Sequence, residues 1–429
     1  MKQSVSRIVV KDRFLALEDG TPFFWQGDTE WELLKHLTRE EVITLFDVRA
    51  LEGFNVLQIC ALPETNGLTE PNRYGRLPLC FTDGRPDPEK PDLSGEYSWW
   101  AHVEYVLSEA EKRGMYVALL PTWGDKFNRK WGVGPVIFDP QNAYVYAKWL
   151  AGFLREHGNI IWMLGGDRPL ETEEHRAIID AMARGIRDGG AEGLITFHPM
   201  GSHTSVEYLP DAEYIDIHTA QTSHGVDTSY RSDRVMEDMR TASSRPYLDS
   251  EPRYEDHPRC MRPELGYWGA ADVRQNLYWD VLSGTCGHTY GNHNIWCFNR
   301  KPCDYFPYKW TDVLHHPGAE QIHFAKELRL RRDYFSFRPA PELILTQYHG
   351  RSHLVAGMGE GYAYIYSPQG LPMDVDPAPL GAQTIRALWF DPRTGEETVF
   401  TAASGTEPDT FVPPTRGEGN DWVLILEKV

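Results

Sequence analysis

From about Phe23 onward, short apolar runs alternate with longer stretches in which apolar residues recur three or four positions apart. The short runs predict strands at Phe23 to Gln26, Val56 to Leu62, Tyr116 to Thr122, Ile160 to Leu164, Leu194 to Phe197, Tyr214 to His218, Pro246 to Asp249 and His288 to Tyr290. The longer stretches predict helices over Glu40 to Glu52, Trp99 to Arg113, Ala143 to His157, Glu173 to Asp188 and Val273 to Leu282. Near-continuous apolar strands separated by amphipathic helices are the pattern of a parallel sheet covered on both faces. Eight such strands predict an α/β fold, a (β/α)8 TIM barrel, with one shortened crossover at Met200 to Glu213.

A last helix near Glu320 to Arg332 is followed by a change of pattern at Arg338 to Pro341. Beyond it, Tyr362 to Tyr366, Thr384 to Phe390, Glu397 to Ala402 and Trp422 to Glu427 read as strands separated by turn residues such as Asp391-Pro392-Arg393-Thr394-Gly395. The expectation is a catalytic barrel over residues 1–337 and a small antiparallel β-sandwich over 338–429. Gly357-Met358-Gly359-Glu360-Gly361 has no helix pattern or Lys after it, so a hairpin turn is expected there rather than a phosphate loop.

Barrel active sites lie at the carboxyl ends of the strands, which gives polar residues there particular weight. The run Ile160-Ile161-Trp162-Met163-Leu164-Gly165-Gly166-Asp167 ends strand four in two glycines and an acid, and Leu248-Asp249-Ser250-Glu251-Pro252 ends strand seven in another. Strands four and seven sit on roughly opposite sides of an eight-stranded mouth. Their carboxylates can therefore face each other across a sugar, as a two-carboxylate glycosidase requires. The alternatives are that Asp167 caps the next helix and that Glu251 pairs with Arg253 or Arg168. Other strand ends offer Asp28 and Trp31, Trp123, His198, His218 with Gln221, and Asn292, His293 and Trp296, with Tyr254 just beyond Glu251. Amides and carboxylates can hold sugar hydroxyls, and indole faces can cover apolar C–H patches. For Trp25, Trp162 and Trp279, inside element runs, core packing is the expectation.

Charge removes one class of partner. With 43 Lys and Arg against 62 Asp and Glu, the chain carries −19 and has no segregated basic patch, so nucleic acid is not an expected partner. Six dispersed cysteines form no C-x-x-C pair, which predicts reduced thiols. The histidine pairs His288 and His293, His315 and His316, and His218 and His224 match no ligand spacing, so neither metal nor cofactor is expected. No apolar run approaches a membrane span, and the first one, Ile8 to Val10, is far shorter than a signal core; cytoplasmic residence is the expectation.

The run from Leu15 to Trp31, with Gly165-Gly166-Asp167 and Asp249-Ser250-Glu251-Pro252, resembles the apiosidase-like family, glycoside hydrolase family 140, and the resemblance spans the chain. Tyr362 to Tyr366 and Ala387 to Gly395 are similar to the β-domain, labelled collagen-binding, that often follows this catalytic domain, although a sandwich packed on the barrel would give the same pattern. The resemblance implies release of the branched pentose apiose from plant glycosides or pectic oligosaccharides, with Asp167 as acid/base and Glu251 as nucleophile. One departure is that related two-carboxylate barrels end strand four in Asn-Glu, whereas here the residue is the shorter Asp after Gly-Gly. The rival readings are an inverting glycosidase on another pentoside, such as an arabinofuranoside, and a non-catalytic carbohydrate-binding protein.

Overall fold

A computed structural model describes residues 5–222, 224 and 244–429. Among these residues, eight parallel strands run in chain order: β1 (Trp25–Thr29), β2 (Val56–Cys60), β3 (Tyr116–Leu120), β4 (Ile160–Gly165), β5 (Ile195–His198), β6 (His218–Gln221), β7 (Tyr247–Asp249) and β8 (Gly287–Tyr290). Six of them form one sheet in the order β5-β4-β3-β2-β1-β8, and β6 pairs with β7. A parallel bridge between Thr196 and Ile217 joins β5 to the segment entering β6. On the other side, the Cys286 N–H donates to the Tyr247 carbonyl at 2.9 Å, so the ring closes as a TIM-type barrel.

Alternation along the strands explains the apolar runs. Val56, Ala118, Leu120, Ile161, Met163 and Leu248 are buried with Trp25 inside the ring. Leu57, Ile59, Val117, Leu119, Trp162, Leu164 and Phe197 are buried against the helices outside it. Those helices are α1 (Arg39–Leu51), α2 (Trp99–Lys112), α3 (Pro140–Phe153), α4 (Glu173–Asp188), the single turn α5 (Ser205–Tyr208) and α6 (Ala270–Leu282). Side-chain caps from Thr38, Ser98, Asp139, Thr172 and Thr204 start the first five, satisfying otherwise unpaired amides. Trp25, Trp162 and Trp279 are buried as expected.

Two strands differ from the sequence reading, and both differences bear on the site. The apolar run at Phe23 is divided: Pro22 and Phe23 pair with a preceding hairpin strand, and β1 begins at Trp25, extending through Gly27, Asp28 and Thr29. Likewise β6 starts at His218 rather than ending there, because the Asp216 carboxylate accepts the Ile195 N–H and holds the approach to β6 as a loop. A polar strand such as His-Thr-Ala-Gln lacks the apolar run that marks its neighbours.

The C-terminal part is a six-stranded antiparallel sheet of β9 (Arg338–Pro339), β10 (Val355–Gly359), β11 (Tyr362–Ser367), β12 (Thr384–Phe390), β13 (Glu397–Ser404) and β14 (Trp422–Lys428), in the order β9-β10-β11-β14-β12-β13. The glycine run lies in the β10–β11 hairpin. One face presents Tyr364, Tyr366, Phe390, Val423 and Ile425 to the core shared with α6, while Ile365, Trp389, Leu424 and Leu426 pack under the short pair Met373–Val375 and Asp409–Phe411. The sheet is fastened to α6: Arg274 makes a buried two-pronged ion pair with Asp421 at 2.7 and 3.0 Å, Tyr278 stacks on Tyr366, and Trp279 donates to the His353 carbonyl. No described helix is long and apolar enough to cross a membrane.

Candidate active site

The end of β4 turns through a backbone that requires its two glycines. Gly165, Gly166 and Asp167 all have positive φ, at 91°, 111° and 54°. A Cβ on Gly165 would lie 2.3 Å from the His198 carbonyl oxygen, and one on Gly166 would lie 2.7 Å from the Gly124 nitrogen. The turn is closed by Gly166 N–H to His198 O and Gly124 N–H to Gly166 O, both at 3.1 Å, and it delivers Asp167 to the mouth. Gly166→Ala should therefore cost well over the ~1–3 kcal/mol of backbone strain alone. Gly190→Ala, also at positive φ but facing open space, isolates the strain; equal losses in thermal unfolding would refute the close-approach argument.

Asp167 does not cap α4, which Thr172 does. Its Oδ2 accepts from Arg168 Nη1 at 2.9 Å and Trp131 Nε1 at 3.2 Å, and its Oδ1 lies 3.3 Å from the Gly201 N–H. Burial, and then the negative charge of Glu251, push its pKa up to about 6 against the pull of Arg168. Arg168, fully buried, also pairs with Glu64, whose own pKa burial raises to about 7.

Glu251 is 5% exposed. Neither Arg168 nor Arg253 accounts for it: Arg168 serves Asp167 and Glu64, and Arg253 contacts Gln275 and the face of Trp268. Instead Glu251 Oε2 lies 2.8 Å from His198 Nε2, Oε1 lies 3.8 Å from His224 Nδ1, and the Tyr254 hydroxyl sits beside the carboxylate. That hydroxyl also accepts from Trp31 Nε1 at 3.2 Å. His198, at the end of β5, takes the Asp167 backbone N–H on Nδ1 at 3.3 Å, which in the neutral ring leaves the proton on Nε2, facing Glu251. Trp31 and Trp123 wall this imidazole, with ring centroids 5.2 and 5.8 Å away.

The structure thus brings Asp167, Glu251, His198, Trp31, Trp123 and Tyr254 together at one end of the barrel. Gln221 closes β6 with a buried, unpartnered Oε1 and its backbone joined to Ser202, and Trp296 follows β8, half-buried beside Phe306. Four expected binding residues are placed elsewhere. Asp28 points outward from β1 into a buried ion pair with Arg49 of α1, because the strand extends beyond the position where the sequence reading ended it. His218 points outward from the start of β6 to the Ser205 hydroxyl at 2.9 Å, and burial lowers its pKa to about 4. Asn292 is committed to Asp256 and the Asn294 N–H, and His293 is stacked on Phe306 and meets the His257 ring edge-on, with its pKa lowered to about 2 by burial.

The sequence reading passed over Trp131, Glu64 and the bridging role of Arg168. Trp131 carried one usable signal, an aromatic residue amid glycines in the loop after strand three. Among the described residues, Glu52, His315 and Glu320 bring one ligand atom each within 4.8 Å of one another, outside the mouth, with Glu52 already paired to Arg49. A cavity of about 450 Å³ lies at the opposite end of the barrel, among Arg7, Glu18, His157 and Gly193, away from both carboxylates.

Comparison with known proteins fits this geometry. The family model for the apiosidase-like catalytic domain matches residues 10–336, and one described as "Putative collagen-binding domain of a collagenase" matches 339–427. A solved structure described as a glycoside hydrolase is 28% identical, with TM-score 0.88, covering 99% of this chain and 97% of its own. A glycoside hydrolase family 5 protein from Bacteroides vulgatus is 29% identical, with TM-score 0.88, covering 98% of this chain and 93% of its own. No protein of curated function matches the chain.

Proposed function

Because the chain belongs to the apiosidase-like glycoside hydrolases, we propose that it releases apiose from apiosylated plant glycosides or pectic oligosaccharides, with retention of configuration. Glu251 attacks the anomeric carbon while Asp167 protonates the departing oxygen; Asp167 then takes a proton from the water that clears the glycosyl ester. The observation that carries the reading is the pairing of two unlike carboxyl environments at one mouth: Asp167 raised to about 6, and Glu251 enclosed by His198, His224 and Tyr254. The enclosure of Glu251 favours attack by the carboxylate itself over activation of a water. His198 positions both groups, and Trp31 and Trp123 supply the apolar wall against which a sugar ring can lie. Residues 338–429 act as a buttress behind α6, since the central strands of their sheet bury one face in the core shared with that helix and the other under the short strand pair.

The test is sugar release from apiosyl-glucosides, arabinofuranosides, xylosides and pectic oligosaccharides, with the first-formed anomer followed by proton NMR. Apiose appearing first as the anomer of the substrate is expected. Release of the opposite anomer would establish inversion, release of arabinose alone would reassign the glycone, and no release from any substrate would favour a binding protein.

A further inference from the structure

We propose that Trp131 is the platform of a leaving-group subsite, where a flat ring in the aglycone, an aryl ring or the C–H face of a pyranose, stacks on the exposed indole beside Asp167. The proposal rests on the two-carboxylate reading above. In such a reaction the proton donor lies against the departing oxygen, so whatever surface adjoins the donor on the solvent side meets the aglycone.

Here that surface is an indole. Among the described residues, Trp131 is the one tryptophan classed as exposed, at 58%. Its Nε1 edge abuts Asp167 Oδ2 at 3.2 Å. The buried guanidinium of Arg168, 4.5 Å from the ring centroid, lies on one face of the indole, and among the described residues no ring or cation packs against the other.

The loop carrying it is fixed before any ligand arrives. Gly132 passes so close that a Cβ would lie 2.4 Å from the Asp125 side chain and 2.7 Å from Arg168 Nη2. The Gly134 N–H donates to Asp125 Oδ2 at 2.7 Å, the Ile137 N–H donates to the Lys126 carbonyl at 2.9 Å, and Lys130 pairs with Glu171. Core packing accounts for buried tryptophans; it does not account for one held rigidly in solvent. A pre-organised aromatic face lowers the ordering cost of binding a ring.

The test compares kcat/KM for wild type, Trp131→Ala and Trp131→Phe on three probes: β-apiofuranosyl fluoride, 4-nitrophenyl β-apiofuranoside and an apiosyl-glucoside. Fluoride leaves without a ring and with little need of a proton. Trp131→Ala should lose about tenfold or more on the ring-bearing probes and under about threefold on the fluoride. Trp131→Phe, which keeps a stacking face but loses the N–H, should keep most of the activity and shift the alkaline limb of the pH profile upward. Loss confined to the aryl probe would identify a phenolic aglycone, and loss confined to the glucoside would identify a sugar; either supports the subsite. Equal loss on all three probes would show that Trp131 props the fold, and no loss would show that it is idle; both overturn the proposal. A wild type inactive on all three sinks the underlying reading itself, which separates that failure from this one.

Discussion

Glu251→Gln should unfold at the temperature of the parent and lose activity on the order of 10⁴-fold or more. The amide is isosteric and neutral in a site that is already buried, so the fold has little to lose, whereas the amide cannot form the glycosyl ester. Asp167→Asn should lose roughly 10² to 10⁴-fold, and least on substrates with a nitrophenolate leaving group, which departs without protonation. The pH dependence follows from direction and sign. Burial and the charge of Glu251 raise the Asp167 pKa to about 6, so the acid is protonated below that pH and loses its proton above it. Wild-type kcat/KM should accordingly fall as pH rises through about 6. That limb should vanish in Asp167→Asn and move to lower pH in the residual activity of Glu251→Gln, where the raising charge is gone. Full turnover in either variant, or an unchanged alkaline limb in Asp167→Asn, would refute the assignment.

The second large effect concerns stability. Asp421→Ala leaves the Arg274 guanidinium, 4% exposed, with Gln321 as its remaining side-chain partner, and removes an acceptor of the Tyr366 hydroxyl. Removing one member of a buried ion pair typically costs about 3–5 kcal/mol, because the other charge stays out of water. Unfolding in urea should show a loss of that size, and Arg274→Met added to Asp421→Ala should recover part of it. Activity should fall as well, since α6 also holds β8 through Asp280 and His288, 2.7 Å apart. Wild-type stability in Asp421→Ala would mean that the sheet rests on the barrel without being held by this pair.

How much of this was legible beforehand differs from residue to residue. Strands four and seven were legible because Ile160 to Leu164 and Tyr247-Leu248 are apolar until just before their ends, so Asp167 and Glu251 fell just past the strands, where barrel chemistry falls. Asp28 and His218 were misplaced for one shared reason. β1 and β6 carry Gly, Asp, Thr and Gln, which interrupt the apolar run on both faces, so the strand ends were set too early and two outward side chains were read as facing the mouth. Asn292 and His293 were at the right end of the right strand but are committed to loop contacts that composition cannot reveal. Trp131 depends on a loop conformation set by close approach at Gly132, which no periodicity encodes.

The imidazole of His198 touches the backbone of one acid and the side chain of the other, so it acts as a spacer of fixed width between them. The spacing of Asp167 and Glu251 is therefore gauged by a residue on neither acid's own strand. Substituting that ring would change the distance between the two carboxyl groups before it changed their chemistry, and with it the stereochemical course the pair can support.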